Sequence, residues 1–243
     1  MREKASRHRS HEPPGFDAGG DGTARSRAEE EDMILWARTV AIAAIVLVWI
    51  GVRIALRRPV LHPWLTGFIL MGVTTALTDL SQITVGLAHA LVWTSTGIVF
   101  FFAILAFVEG MRREIGAPPA TRVQVVAACA AAVALGLVCS VLPNGRGEAV
   151  GGIIGAAVLL NFVFPLLSVA RRRIGAWVLA AGMVIYAAGR TAWVVALQSA
   201  ANAAGVHLTA DVLAIAVAGL GFIVYDVESV RAAQTVGGRS TAA

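Results

Sequence analysis

Apolar residues fill seven long stretches of the chain, near 34–56, 64–85, 89–108, 123–142, 149–170, 174–197 and 208–227, and polar positions gather in the short joints between them. About 20 apolar residues wound as a helix cross about 30 Å of hydrocarbon, and each stretch has that length. The pattern predicts an all-α fold, a polytopic membrane helical bundle with seven transmembrane helices spanning residues 33–231. An odd number of spans leaves the termini on opposite sides of the bilayer.

Arginine orients the bundle, because no lysine follows residue 32. The first joint carries Arg53, Arg57 and Arg58, the third Arg112, Arg113 and Arg122, and the fifth Arg171, Arg172 and Arg173. The second and sixth joints have no cation, and the fourth has only Arg146. Basic loops stay cytoplasmic, so the amino terminus is expected outside, with a short cytoplasmic tail at 232–243.

Composition agrees with this class. Hydrophobic residues make up 57% of the chain and charged ones 14%, with a mean hydropathy of +0.74, outside the range of ordinary soluble domains. The localisation expected is the cell membrane, multi-pass. The Arg-over-Lys and Ala/Gly/Val bias suits a GC-rich genome, and a bacterial plasma membrane is the membrane expected.

Residues 1–32 differ in kind. They are polar, with Pro13, Pro14, Gly19, Gly20 and Gly22 and the acidic run Glu29-Glu30-Glu31-Asp32. Such a segment buries too little to fold alone, and a disordered tail is expected. Equally, Met33 opens the first span directly, and GAG codons for the three glutamates would form a purine-rich ribosome-binding sequence just ahead of it. Translation then starts at Met33. The tail holds six basic and eight acidic residues, which leaves fourteen basic against seven acidic on the membrane body. That surplus makes anionic lipid at the cytoplasmic face the expected partner. Without a basic, aromatic-rich soluble domain, no nucleic-acid partner is expected.

Charges inside spans are costly and mark pairs or watery cavities. Asp79 in the second span and Arg190 in the sixth stand about 22 Å and about 24 Å above the inner ends of their helices at 1.5 Å per residue. Equal depth and opposite charge make them an expected ion pair. Thr75, Asp79, Gln82 and Gly86 share one side of the second helix, while Tyr186, Arg190 and Trp193 share a side of the sixth. His89, Trp93 and Thr96 line one side of the third. These groups fall in the outer half, with Gln198, Asn202, His207 and Asp211 near the mouth. The ligand-cavity candidates are accordingly Asp79, Gln82, His89, Trp93, Tyr186 and Arg190. Interhelical hydrogen bonding is the plainer reading of the same residues.

Three further features belong to packing before chemistry. Cys129 and Cys139, ten residues apart on one helix, are separated by about 15 Å, too far for a mutual disulfide. Asn161 and Pro165 predict a kink in the fifth span. Gly151 and Gly155 form a small-residue pair suited to close helix contact, or to a second copy of the chain.

Known seven-helix chemistries can be tested by what they need. Retinal proteins require a lysine in a span, and none is present. The third span ends Val108-Glu109-Gly110-Met111-Arg112, without the Asp/Glu-Arg-Tyr sequence of G-protein-coupled receptors, and the seventh lacks Asn-Pro-x-x-Tyr. No nucleophile elbow, His-Glu-x-x-His or phosphate loop occurs. Beyond the tail only His62, His89 and His207 are available as imidazole ligands. A membrane-embedded metal-dependent hydrolase is therefore the third reading, and neither a metal nor a cofactor is expected.

The run Leu87-Ala88-His89-Ala90-Leu91, and Ala180-Ala181-Gly182 through Tyr186 to Arg190, resemble actinobacterial seven-helix membrane proteins labelled as transporters. The resemblance covers the body from residue 33 onward and implies a transport role without assigning any residue to it. The leading expectation is a non-enzymatic protein that senses or moves a small molecule through an outward-facing polar cavity. The alternative is a non-catalytic interaction or scaffold protein that holds another membrane protein.

Overall fold

The structure, a computed structural model, describes residues 20–57, 59, 62–142, 146–198 and 203–240, with side chains described within 38–195 and 209–232 apart from Gln82. Among the described residues there are seven helices and no strand: α1 (Gly20–Ala55), α2 (Pro63–Ile83), α3 (Gly86–Glu114), α4 (Arg122–Val141), α5 (Arg146–Ala170), α6 (Ile174–Gln198) and α7 (Ala203–Ser240). All seven are long and apolar enough to cross a membrane.

Local chemistry sets the joints. His62 caps α2, its ring accepting from the Trp64 amide at 3.3 Å, and Pro63 opens the helix where its missing N–H costs nothing. Gly116 closes α3 with φ +70, a conformation that only glycine adopts without strain, and Pro118 and Pro119 follow. Thr121 and Gln124 then form a reciprocal capping box that starts α4.

Two boundaries differ from the hydropathy reading. Helix α1 begins at Gly20, so residues 20–32, expected in a disordered tail, are helical; residues 1–19 of that tail lie outside the described residues. Residues 24–31 are mostly good helix formers, Ala, Arg and Glu. Helix α7 likewise continues past residue 231 to Ser240.

Packing arranges α1, α2, α3, α5, α6 and α7 as a closed ring, each helix against the next and α7 back against α1, with α4 on the flank against α3 and α5. Helices α6 and α7 come closest. A Cβ at Gly182 would stand 2.6 Å from the Ala218 nitrogen, and one at Gly221 would stand 2.5 Å from the Leu179 nitrogen. Gly151 and Gly155 are buried within the chain: Gly151 faces Cys139 and Phe101, and Gly155 faces Phe100 and Ile104. They serve helix contact inside the bundle. Pro165 lies within an uninterrupted α5.

The end of the bundle where α1 and α7 pass below the middle is filled by aromatic rings. Trp49, Trp64, Phe68, Phe107 and Phe222 pack at centroid separations of 4.2–6.5 Å. Arg53, counted with the joint charges in the sequence, is instead buried here. Its Nη1 donates to Asp226 Oδ2 at 2.9 Å, its Nε donates to the Pro59 carbonyl at 2.7 Å, and Trp49 Nε1 donates to the same Asp226 oxygen at 3.1 Å. The group locks α1 to α7. Beside it, Glu228 accepts from the Ile174 and Gly175 amides and so caps the start of α6.

Candidate functional site

The opposite end, where α1, α3, α5 and α7 begin and α2, α4 and α6 finish, encloses a cavity of about 70 Å³ walled by all seven helices. Helix α2 contributes Thr74, Thr75 and Thr78, and α3 contributes Trp93 and Thr96. Cys139 and Ser140 come from α4, Glu148 and Gly152 from α5, Arg190 from α6, Asp211 from α7 and Arg38 from α1. The threonine hydroxyls donate to carbonyls one turn back on their own helices, as between Thr74 and Leu70 and between Thr96 and Val92. That leaves their oxygens as acceptors toward the cavity without exposing an unsatisfied donor.

Arginine and carboxylate side chains organise the wall. Arg190 Nη2 donates to Asp211 Oδ2 at 2.8 Å, and Nη1 lies 3.5 Å from Glu148 Oε1. The guanidinium also sits 5.1 Å from the Tyr186 ring centroid and 5.7 Å from that of Trp193. Gly152 makes this possible: a Cβ there would meet Arg190 Cδ at 2.6 Å, so the missing side chain is the groove in which arginine crosses α5 toward Glu148. Arg38 Nη1 approaches the same Asp211 oxygen at 3.9 Å, while Arg38 Nε and Nη2 are buried with no hydrogen-bond partner.

The expected ion pair is corrected by this geometry. Arg190 pairs with Asp211, not with Asp79. Helix α6 packs on α5 and α7, whereas α2 packs on α1 and α3, so equal depth did not bring Asp79 and Arg190 together. Asp79 is half-buried within electrostatic reach of Arg38, and its Oδ1 is buried without a hydrogen-bond partner.

Of the other expected cavity residues, Trp93 and Arg190 line the cavity, and Tyr186 lines a second, apolar one described below. His89 is exposed at the top of α3, where its Nδ1 lies 2.8 Å from the Ser81 carbonyl at the end of α2. The side chains of Gln82, Gln198 and His207, and the whole of Asn202, lie outside the described residues. Among the described residues no three His, Cys, Asp or Glu side chains converge as metal ligands, and Cys129 and Cys139 are separate free thiols.

Arg38 and Glu148 were not singled out from the sequence. Arg38 carried a readable signal, since it is a cation inside the first span at the end where the arginine pattern otherwise avoids positive charge. Asp211, expected near the mouth, reaches Arg190 because α6 and α7 turn back tightly on each other, which spacing along the chain does not report.

No protein-family model, curated protein or solved structure matches this chain significantly.

Proposed function

We propose that this multi-pass membrane protein senses or moves a small polar molecule that it binds in the cavity at the amino-terminal end of the bundle, which the arginine pattern orients to the outside. The observation that carries this reading is Arg38, 7% exposed, part of the cavity wall, with two guanidinium nitrogens lacking any hydrogen-bond partner. A buried donor without a partner is destabilising, by about 1–3 kcal/mol and more for a charged group. Arg53, at the other end of the same helix, by contrast donates to Asp226 and to the Pro59 carbonyl. Chemistry on the ligand is not part of the proposal.

The test is a thermal-stability screen of the purified protein against small carboxylates, amines, amino acids and sugars, run beside Arg38→Gln. A ligand that binds only the folded state raises Tm with concentration. The reading expects at least one solute class to stabilise the natural chain and not the variant. If no class stabilises the natural chain, the cavity is a packing defect and the reading is wrong.

A further inference from the structure

A second cavity, of about 60 Å³, lies directly below the first, and Met71 and Ile215 line both. Its remaining wall is apolar and aromatic, with Phe68, Leu159, Met183 and Phe222 among the contributors. The chamber that carries the charged side chains and the apolar one thus share a wall of one isoleucine and one flexible, unbranched methionine. On the measure in which a water molecule needs about 10–15 Å³, each chamber has room for about four to seven heavy atoms.

The charges of the first chamber are balanced except along one edge. Its wall carries Arg38, Arg190, Asp211 and Glu148, two cations and two anions. Arg190 is committed to Asp211. The atoms of Arg38 that lack partners, Nε and Nη2, form one edge of the guanidinium, with two parallel N–H groups that match the two oxygens of a carboxylate. Asp211 stands 3.9 Å from the opposite nitrogen, Nη1, and Asp79, off the cavity wall, adds a second carboxylate within electrostatic reach of Arg38 that such an anion must oppose.

From these features we infer that the ligand is an amphiphilic monocarboxylate of medium chain length. Its carboxylate is held on the Nε/Nη2 edge of Arg38, and its alkyl chain passes Met71 and Ile215 into the apolar chamber. The inference rests on the cavity reading above and gives it a ligand class. Apolar chain burial strengthens binding with length, by about fourfold per CH₂, and the arginine edge supplies the choice of head group.

The experiment uses the full chain in phosphatidylcholine nanodiscs, with octanoate, acetate and octylammonium as probes and Tm as the readout. Octanoate is expected to stabilise the protein at concentrations where acetate and octylammonium do not. Arg38→Gln should weaken the apparent octanoate affinity by about tenfold or more, and Asp79→Asn, which removes the competing charge, should strengthen it. Partition of octanoate into the bilayer affects all three proteins alike and cancels in the comparison. Equal stabilisation by acetate and octanoate would overturn the chain-binding half, and stabilisation by octylammonium alone would overturn the carboxylate half. An unchanged octanoate response in both variants would overturn the role of Arg38. If octanoate is silent while another solute of the broader screen stabilises the protein, this inference falls and the cavity reading stands; silence from every solute removes both.

Discussion

Arg190 and Asp211 meet across the α6–α7 interface with Nη2 2.8 Å from Oδ2, both side chains almost wholly buried. Two helices joined in sequence and packed closely along their length thereby share a charge pair at the end farthest from the aromatic core. Burying a pair is of uncertain net benefit, but stranding one member is costly. Arg190→Gln and Asp211→Asn should each destabilise the protein by about 3 kcal/mol. The exchange Arg190→Asp with Asp211→Arg should recover little of that loss in thermal unfolding, because it sets a carboxylate against Glu148 and a guanidinium against Arg38. Asp79→Asn combined with Arg190→Gln should instead be additive within about 0.5 kcal/mol.

Gly152 is the groove through which Arg190 crosses α5. Gly152→Leu should displace the guanidinium from Asp211 and Glu148 and lower Tm about as much as Arg190→Gln, with little further loss in the double variant, because both changes break one arrangement. Purely additive losses would show that Gly152 does not position the arginine.

Close approach of α6 and α7 depends on Gly182 and Gly221, where a side chain would run into backbone atoms of the other helix. Gly182→Val is expected to destabilise the bundle by about 1–3 kcal/mol through overpacking. Gly51, which has open space around it, serves as the control: Gly51→Ala should be neutral or slightly stabilising in the same unfolding assay, since alanine favours helix by about 1 kcal/mol.

The Arg53, Asp226 and Trp49 group answers to a different test. Asp226→Asn leaves Arg53 buried without its counter-charge, and a loss of about 3 kcal/mol is expected. Because this group sits at the far end from the cavity, any ligand-induced rise in Tm should survive unchanged in size. A ligand response lost in Asp226→Asn but retained in Gly51→Ala would move the binding site to the Arg53–Asp226 group.

The seven helices were legible because membrane burial writes itself as uninterrupted apolar length, a property of single segments. Helix ends at His62–Pro63, Gly116 and Thr121–Gln124 also follow from local chemistry. The site was only partly legible, because pairing depends on which helices are neighbours. Depth counted along α2 and α6 put Asp79 level with Arg190, yet the ring order places α7 beside α6 and delivers Asp211. Arg38 was passed over for a related reason: its burial comes from α1 packing against α7, which hydropathy along one segment does not report. Gly152 was hidden more deeply, since a glycine in an apolar run shows its purpose only when the arginine from another helix lies across it.

A ligand can bind in the cavity only if water reaches it from the amino-terminal side, and Cys139, a buried thiol in its wall, reports on that directly. In a Cys129→Ser chain within sealed vesicles, a small charged methanethiosulfonate should modify Cys139 when added to the amino-terminal side and not when added to the other. Arg146→Cys, at the exposed start of α5, marks full access from the same side. Modification of Cys139 at a measurable fraction of the Arg146→Cys rate is the predicted result. A Cys139 that stays unmodified until the protein is denatured, while Arg146→Cys reacts, would contradict the central claim.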